Sequence, residues 1–429
     1  MRTNLKMTQL KPCSPILLYV LVGLLGVIIG FHPTLFSGFA RAQAETGDTR
    51  LVHYILEHSF QAVFNQNYPA ELWSPPFFFP SKNTLALSEN LFGGAPLYWG
   101  LRSILPADLA YQCWMISAAL LCFICFAILL RHLRVNHALA AFGSFIFAFG
   151  LPRMGQLYHT QLLLQFFTPI SFIFVWDFLR KPTPNRLRAA LLFIFLQLLA
   201  AYYLGWFLLF SLLIFVPVVL WLNPAWKNGL IFYLKGQWRS TIGALLVWMI
   251  AFIWLFLPYF KMTKTVGGFS VSQVVTLLPR LSSWLLPPSG SLWEPLLSPL
   301  AKEGIDPHQH LLFIGFVPLA LIGFAFYVVQ FRPKVLSPER TILIKASLIT
   351  ALILFVLSLE IFGFSLWRMI YALIPGATAI RAVGRVVLIV EVYVLVASLL
   401  CVDGMLRSKV ANPTLRSAIA LTLLLITLP

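Results

Sequence analysis

Long, uninterrupted apolar runs divide this chain, and their recurrence limits its fold more than any motif does. They lie near 16–31, 110–130, 138–151, 162–179, 189–204, 206–222, 241–258, 311–329, 343–362, 386–404 and 415–429. In lipid, every backbone N–H and C=O must be satisfied inside the protein, so only helices or closed barrels cross. A barrel strand alternates in polarity over about 10 residues. These runs are longer and apolar on every face, so they read as helices. The sequence therefore predicts an all-α membrane protein, a single transmembrane domain over 1–429 with about eleven transmembrane helices. The stretch 189–222 is divided at Tyr202-Tyr203-Leu204-Gly205-Trp206. Undivided, it would far exceed a hydrocarbon core of about 30 Å at a rise of about 1.5 Å per residue.

Charge supports the same reading. Only 10% of residues are charged and 59% are hydrophobic, whereas a water-facing surface needs roughly a quarter charged. The net charge of +17 does not point to nucleic acid, because the basic residues form short clusters between apolar runs rather than one stripe. With the N-terminus cytoplasmic, Arg131/Arg134, Arg180/Lys181/Arg186/Arg188, Lys227/Lys235/Arg239, Arg332/Lys334/Arg340 and Arg407/Lys409/Arg416 all fall inside, as the positive-inside rule asks. Most acids fall outside: Glu45, Asp48, Glu57, Glu71, Glu89, Asp108, Glu294, Glu303 and Asp306. The five cysteines lie in or beside apolar segments without metal-ligand spacing and read as packing residues. The first run, which follows Arg2, Lys6 and Lys11, reads as an uncleaved signal-anchor. The apolar ending at Leu428-Pro429 reads as a truncation.

Two outer segments are long enough to carry chemistry: a first loop over about 32–106 and a second over about 259–310. Both are rich in Pro and aromatics, and the amphipathic piece 51–64 suits a helix lying on the membrane surface. In the first loop, Asp48 stands in Gly47-Asp48-Thr49-Arg50. A carboxylate there can take a proton from an acceptor hydroxyl, or can cap the helix that follows. Further on, Glu89 in Ser88-Glu89-Asn90 gives a second carboxylate. Two such groups can share base and positioning roles or hold a divalent cation through oxygen ligands; an isolated Glu can equally sit on a solvated face. Arg153, Gln156 and His159 would share a face if helical, with Arg153 suited to phosphate and equally to snorkelling. Arg381 and Arg385 stand on the acid-rich side, where they can hold a phosphate or pair with Glu391 inside the span.

In order along the chain come Gly47-Asp48 after one span, Phe77-Phe78-Phe79-Pro80, Leu85-Ala86-Leu87-Ser88-Glu89-Asn90-Leu91-Phe92-Gly93, then Arg153-x-x-Gln156-x-x-His159-x-Gln161. Tyr202-Tyr203-Leu204-Gly205 and Pro375-Gly376-x-x-x-Ile380-Arg381-Ala382-x-x-Arg385 follow. Over nearly its whole length the chain resembles the large bacterial membrane proteins grouped with GT-C glycosyltransferases. The resemblance implies a multi-pass protein of the bacterial inner (plasma) membrane that transfers sugar on its outer face. The donor would be a polyprenyl-phosphate-linked sugar, and the acceptor a glycan, lipid or protein. Asp48 matches the first-loop acid of the family, a base or acceptor-positioning group. Glu89 corresponds to the second acid, although Ser-Glu-Asn stands where an acidic pair is usual. The expected site thus comprises Asp48 and Glu89 as catalytic carboxylates, with Arg153, Gln156, His159, Tyr202, Tyr203, Arg381 and Arg385 binding donor sugar or phosphate. No metal ligand is assigned and no cofactor beyond that divalent cation; membrane lipids are the expected surroundings. Readings of another class are a transporter or flippase of lipid-linked glycans, which needs polar residues deep in several spans, and a non-catalytic membrane assembly subunit.

Overall fold

The computed structural model describes residues 14–42, 47–300 and 309–410, together with 412, 415, 419 and 422. The first helix, α1 (Pro15–Phe36), opens with proline in its first turn, where the missing N–H costs nothing. Two helices outside the bundle follow, α2 (Asp48–Phe64) and α3 (Ala95–Arg102). Then come α4 (Ala107–His132) and α5 (His137–Phe149), the latter capped by the Asn136 side chain, which accepts from the Ala138 N–H at 2.8 Å. A single turn, α6 (Leu151–Gly155), continues α5 across an extended Gly150. Next are α7 (Phe167–Arg180), α8 (Pro184–Ala200), α9 (Tyr202–Leu222), α10 (Pro224–Gly236) and α11 (Trp238–Val266). The second long loop holds α12 (Val271–Thr276) and α13 (Glu294–Leu297). The chain then runs through α14 (Phe316–Phe331), α15 (Pro338–Ser358), α16 (Trp367–Leu373) and α17 (Val387–Lys409).

Among the described residues, seven helices are long and apolar enough to cross a membrane: α1, α4, α5 with α6, α9, α11, α15, and α17 with the turn before it. Helix length and composition thus show seven of the about eleven expected spans. Runs expected at 162–179, 189–204 and 311–329 become α7, α8 and α14, with 14, 17 and 16 residues. The reason is local. Residues 160–163 form a 3-10 turn ahead of α7, and Gly315, at φ +96°, breaks the backbone ahead of α14. The eleventh run, 415–429, lies outside the described residues apart from single positions. The break expected at 202–206 falls at Ala201, whose extended backbone (φ −151°, ψ 110°) ends α8 and starts α9.

The core is built around α17. All its residues from Val387 to Gly404 are buried, and α5, α9, α14 and α15 pack on it. By contrast α11 turns Val247, Ile250 and Trp254 outward, a face that lipid would solvate. Close crossings use small residues, as expected where helices meet without water to drive them together. A Cβ on Gly205 of α9 would stand 2.7 Å from the Leu198 Cα of α8.

The bundle has two chemically different ends. At one, Arg180 pairs with Glu339 (2.8 Å), Arg340 and Arg407 both hold Asp403 (2.8 and 2.7 Å), and His132 meets Asp177 (3.0 Å). This basic end gathers the termini of α4, α7, α8, α15 and α17. The other end gathers α2, α3, the loop around Glu89, α6, residues 309–312 and the approach to α17. The apolar face of α2, expected to lie on membrane, is partly spent on protein: Val52, Ile55, Leu56 and Ser59 are buried, with α3 packed against that helix. Glu57 ties the pair through Arg102 (2.9 Å) and the Tyr98 hydroxyl (2.7 Å). Burial pushes the Glu57 carboxyl up, but hydrogen bonds from Arg102, Tyr98 and Gln61 outweigh it and hold its pKa below the usual value.

Candidate functional site

Asp48 is the first residue of α2, and Gly47 occupies the cap position without a side-chain bond. The capping alternative therefore does not hold. The Asp48 carboxylate instead accepts from His159 Nδ1 at 2.6 Å, joining two segments 111 residues apart. Gln309 donates its amide N–H to His159 Nε2 at 3.2 Å. A carboxylate only accepts, so the Nδ1 of His159 carries the proton of that bond. The pair lies at the surface: the Asp48 side chain is 47% exposed and that of His159 14%. The His159 hydrogen bond holds the Asp48 pKa below the usual carboxylate value against partial burial, with added help from the charge of Arg385 and a bond from Gln161.

Glu89 sits differently. It is buried, and its two oxygens accept the amide N–H groups of Tyr202 (2.5 Å) and Tyr203 (3.2 Å) at the start of α9. That is where a helix presents unsatisfied donors and the positive end of its dipole. The expected solvated-face alternative is overturned. Burial raises the Glu89 pKa to about 7 despite those two amides and the nearby Arg385. Both carboxylates thus feel one guanidinium, that of Arg385.

Tyr203 organises the rest. Its N–H goes to Glu89, its hydroxyl oxygen accepts the Arg381 backbone N–H at 2.9 Å, and its ring carries the Arg385 guanidinium at 4.6 Å. Arg385 is buried while Arg381 is exposed, its guanidinium 5.1 Å from the ring of Phe269. Tyr202 donates its hydroxyl to the Ala379 carbonyl at 3.4 Å. Nearby, Gly93 touches the end of α8; a Cβ there would lie 2.6 Å from the Ala200 nitrogen. Phe78 and Phe79 are among the most exposed aromatics, at 68% and 86%, which suits interfacial anchors.

The sequence motif around Arg153 does not act as one face. The helix α6 ends at Gly155, so helical spacing no longer relates the three residues. Arg153 turns inward, donating to the Leu162 carbonyl (2.5 Å), the Phe147 carbonyl and the Gln165 side chain. Gln156 is buried with neither amide atom bonded. Of the three, His159 alone reaches Asp48. The expected Arg385–Glu391 pairing does not form among the described residues, and both carboxylate oxygens of buried Glu391 lack a hydrogen-bond partner. Gln309 and Gln161 were missed as site residues. Their signal was polarity in an apolar chain: Gln161 closes the Arg153 motif, and Gln309 lies between His308 and His310.

The paired-carboxylate cation site does not fit these residues, because both Glu89 oxygens face backbone amides. Among the described residues, no three His, Cys, Asp or Glu side chains converge as ligands. A cavity of about 500 Å³ lies instead at the basic end. Protein-family models, curated proteins and solved structures give no match to this chain. What sequence and structure establish together is a polytopic, all-helical membrane protein.

Proposed function

We propose that this protein transfers a sugar from a polyprenyl-phosphate-linked donor to an acceptor hydroxyl at the acid-bearing end of the bundle, with inversion at the anomeric carbon. That end would face outward, the basic end lying in the cytoplasm, and ten of the eleven expected runs would cross as α1, α4, α5, α7, α8, α9, α11, α14, α15 and α17. The observation that carries the reading is the Asp48–His159 pair at 2.6 Å beside Arg385. The acceptor oxygen bonds to the anomeric carbon as the carbon–oxygen bond to phosphate breaks, and the lipid phosphate leaves with the electron pair. The acceptor proton passes to the Asp48 carboxylate, which His159 Nδ1 holds through Oδ2. Exposed Arg381 meets the leaving phosphate, while Arg385 supplies fixed positive charge in a water-poor setting.

In proteoliposomes supplied with a lipid-linked sugar and an acceptor, Asp48→Asn is expected to lower transfer by about 10²–10⁴-fold, with folding preserved. Transfer at the wild-type rate removes Asp48 from the chemistry. One observation favours the transporter reading: buried Glu391, inside α17, has no hydrogen-bond partner for either oxygen, and intramembrane acids often mark ion or substrate paths. Movement of the lipid-linked sugar between leaflets without transfer would decide for it.

A further inference from the structure

We propose that the cavity at the basic end is a binding site for a phosphate group, independent of the transfer reaction. It has a volume of about 500 Å³, within the range of roughly 300–1,000 Å³ common to small-molecule sites. Four arginines line it, Arg134, Arg180, Arg186 and Arg340, against two carboxylates, Asp177 and Glu339.

The pairing leaves two cations over. Arg180 is engaged with Glu339 at 2.8 Å and Asp177 at 3.6 Å. Arg340 holds Asp403 beneath the cavity, an acid it already shares with Arg407. Among the described residues, Arg186 donates to the backbone carbonyls of Asp177 (3.2 Å) and Lys181 (2.8 Å) and makes no ion pair. Arg134 makes no ion pair among the described residues. Its backbone is nevertheless pinned: φ is +60°, and its carbonyl accepts from Arg340 (3.1 Å) and Arg407 (2.6 Å).

Basic residues beside spans ordinarily snorkel to surrounding headgroups. Here they surround a largely polar cavity that also touches buried Leu343 and Leu400, so several guanidinium groups face one enclosed space rather than separate headgroups. Guanidinium forks match phosphate oxygens in pairs. The phosphate can come from an anionic lipid headgroup or from a water-soluble compound, and the recognition chemistry is the same.

The full-length protein is placed in phosphatidylcholine nanodiscs and its unfolding midpoint followed as inorganic pyrophosphate is added. A parallel series replaces part of the lipid with phosphatidylglycerol. A saturable rise is expected in at least one series. Arg134→Gln/Arg186→Gln should weaken the apparent affinity about tenfold or more. Lys227→Gln/Lys235→Gln, exposed on α10, should leave it unchanged and so controls for general charge effects. A rise with pyrophosphate assigns a soluble ligand, and one with phosphatidylglycerol a lipid. Should the double arginine variant not fold, Arg134→Gln alone, which breaks no ion pair, repeats the measurement. The proposal is overturned by no rise in either series, by an arginine variant that responds as wild type does, or by equal losses in the arginine and lysine variants.

Discussion

Asp48 and Glu89 are both acids of the first loop, yet their surroundings push them in opposite directions. Asp48 accepts from a histidine at the surface, while Glu89 is buried on two backbone amides. Glu89 ionises near pH 7 in the fold against an ordinary value of 4.5, so the folded state holds its proton across that interval. Its contribution to stability is complete below pH 4.5 and lost as pH rises through 7, a change on the order of 3 kcal/mol. Glu89→Gln is expected to flatten the fall in unfolding midpoint between pH 5 and 8; a slope equal to wild type would refute this. For Asp48 the sign reverses, its contribution being present above the unfolded value of 3.8 and lost as pH falls through the lower folded one. Asp48 was legible because a Gly-Asp step opens a polar helix directly after a long apolar run. Its partner was not, since the bond to His159 spans 111 residues. Arg153 misled for a different reason: equal spacing implies a shared face only while the helix continues, and α6 stops two residues later.

Among elements, the junction of α8 and α9 matters most. The extended Ala201 exposes the first amides of α9, Glu89 accepts them, and Gly93 brings its strand of loop against Ala200 through a backbone bond to Leu199 (2.8 Å). A methyl on Gly93 would meet backbone atoms, at 2.6 and 2.8 Å, which cannot swing aside as a side-chain tip can. Gly93→Ala is therefore expected to destabilise by about 1–3 kcal/mol, read as a lower midpoint in detergent. An unchanged midpoint would mean the loop is not held there. The two-helix division of 189–222 was legible from length alone. The helix α10 was not, because its basic residues read as an ordinary loop cluster, and helix starts set by Gly315 or by a 3-10 turn leave no mark in hydropathy.

At the scale of the whole molecule, alternation of basic and acid-bearing ends is the strongest inheritance from the sequence. In a background without native cysteines, Phe362→Cys and Lys409→Cys should react with a membrane-impermeant maleimide from opposite sides of sealed vesicles. Both residues are exposed, and labelling from the same side would refute the end-to-end arrangement. The burial of α17 carries a further consequence for biosynthesis. Membrane helices enter the bilayer in the order of synthesis, and this one follows every other long helix of the described chain although α5, α9 and α15 pack on it. The nascent protein must hold an axial gap open until Val383–Lys409 leaves the ribosome. Since Arg381 precedes that segment and Arg385 lies at its start, the two acids of the first loop wait without their guanidinium neighbour until it inserts, and ribosome-stalled products ending before it should be hollow, inert and readily degraded.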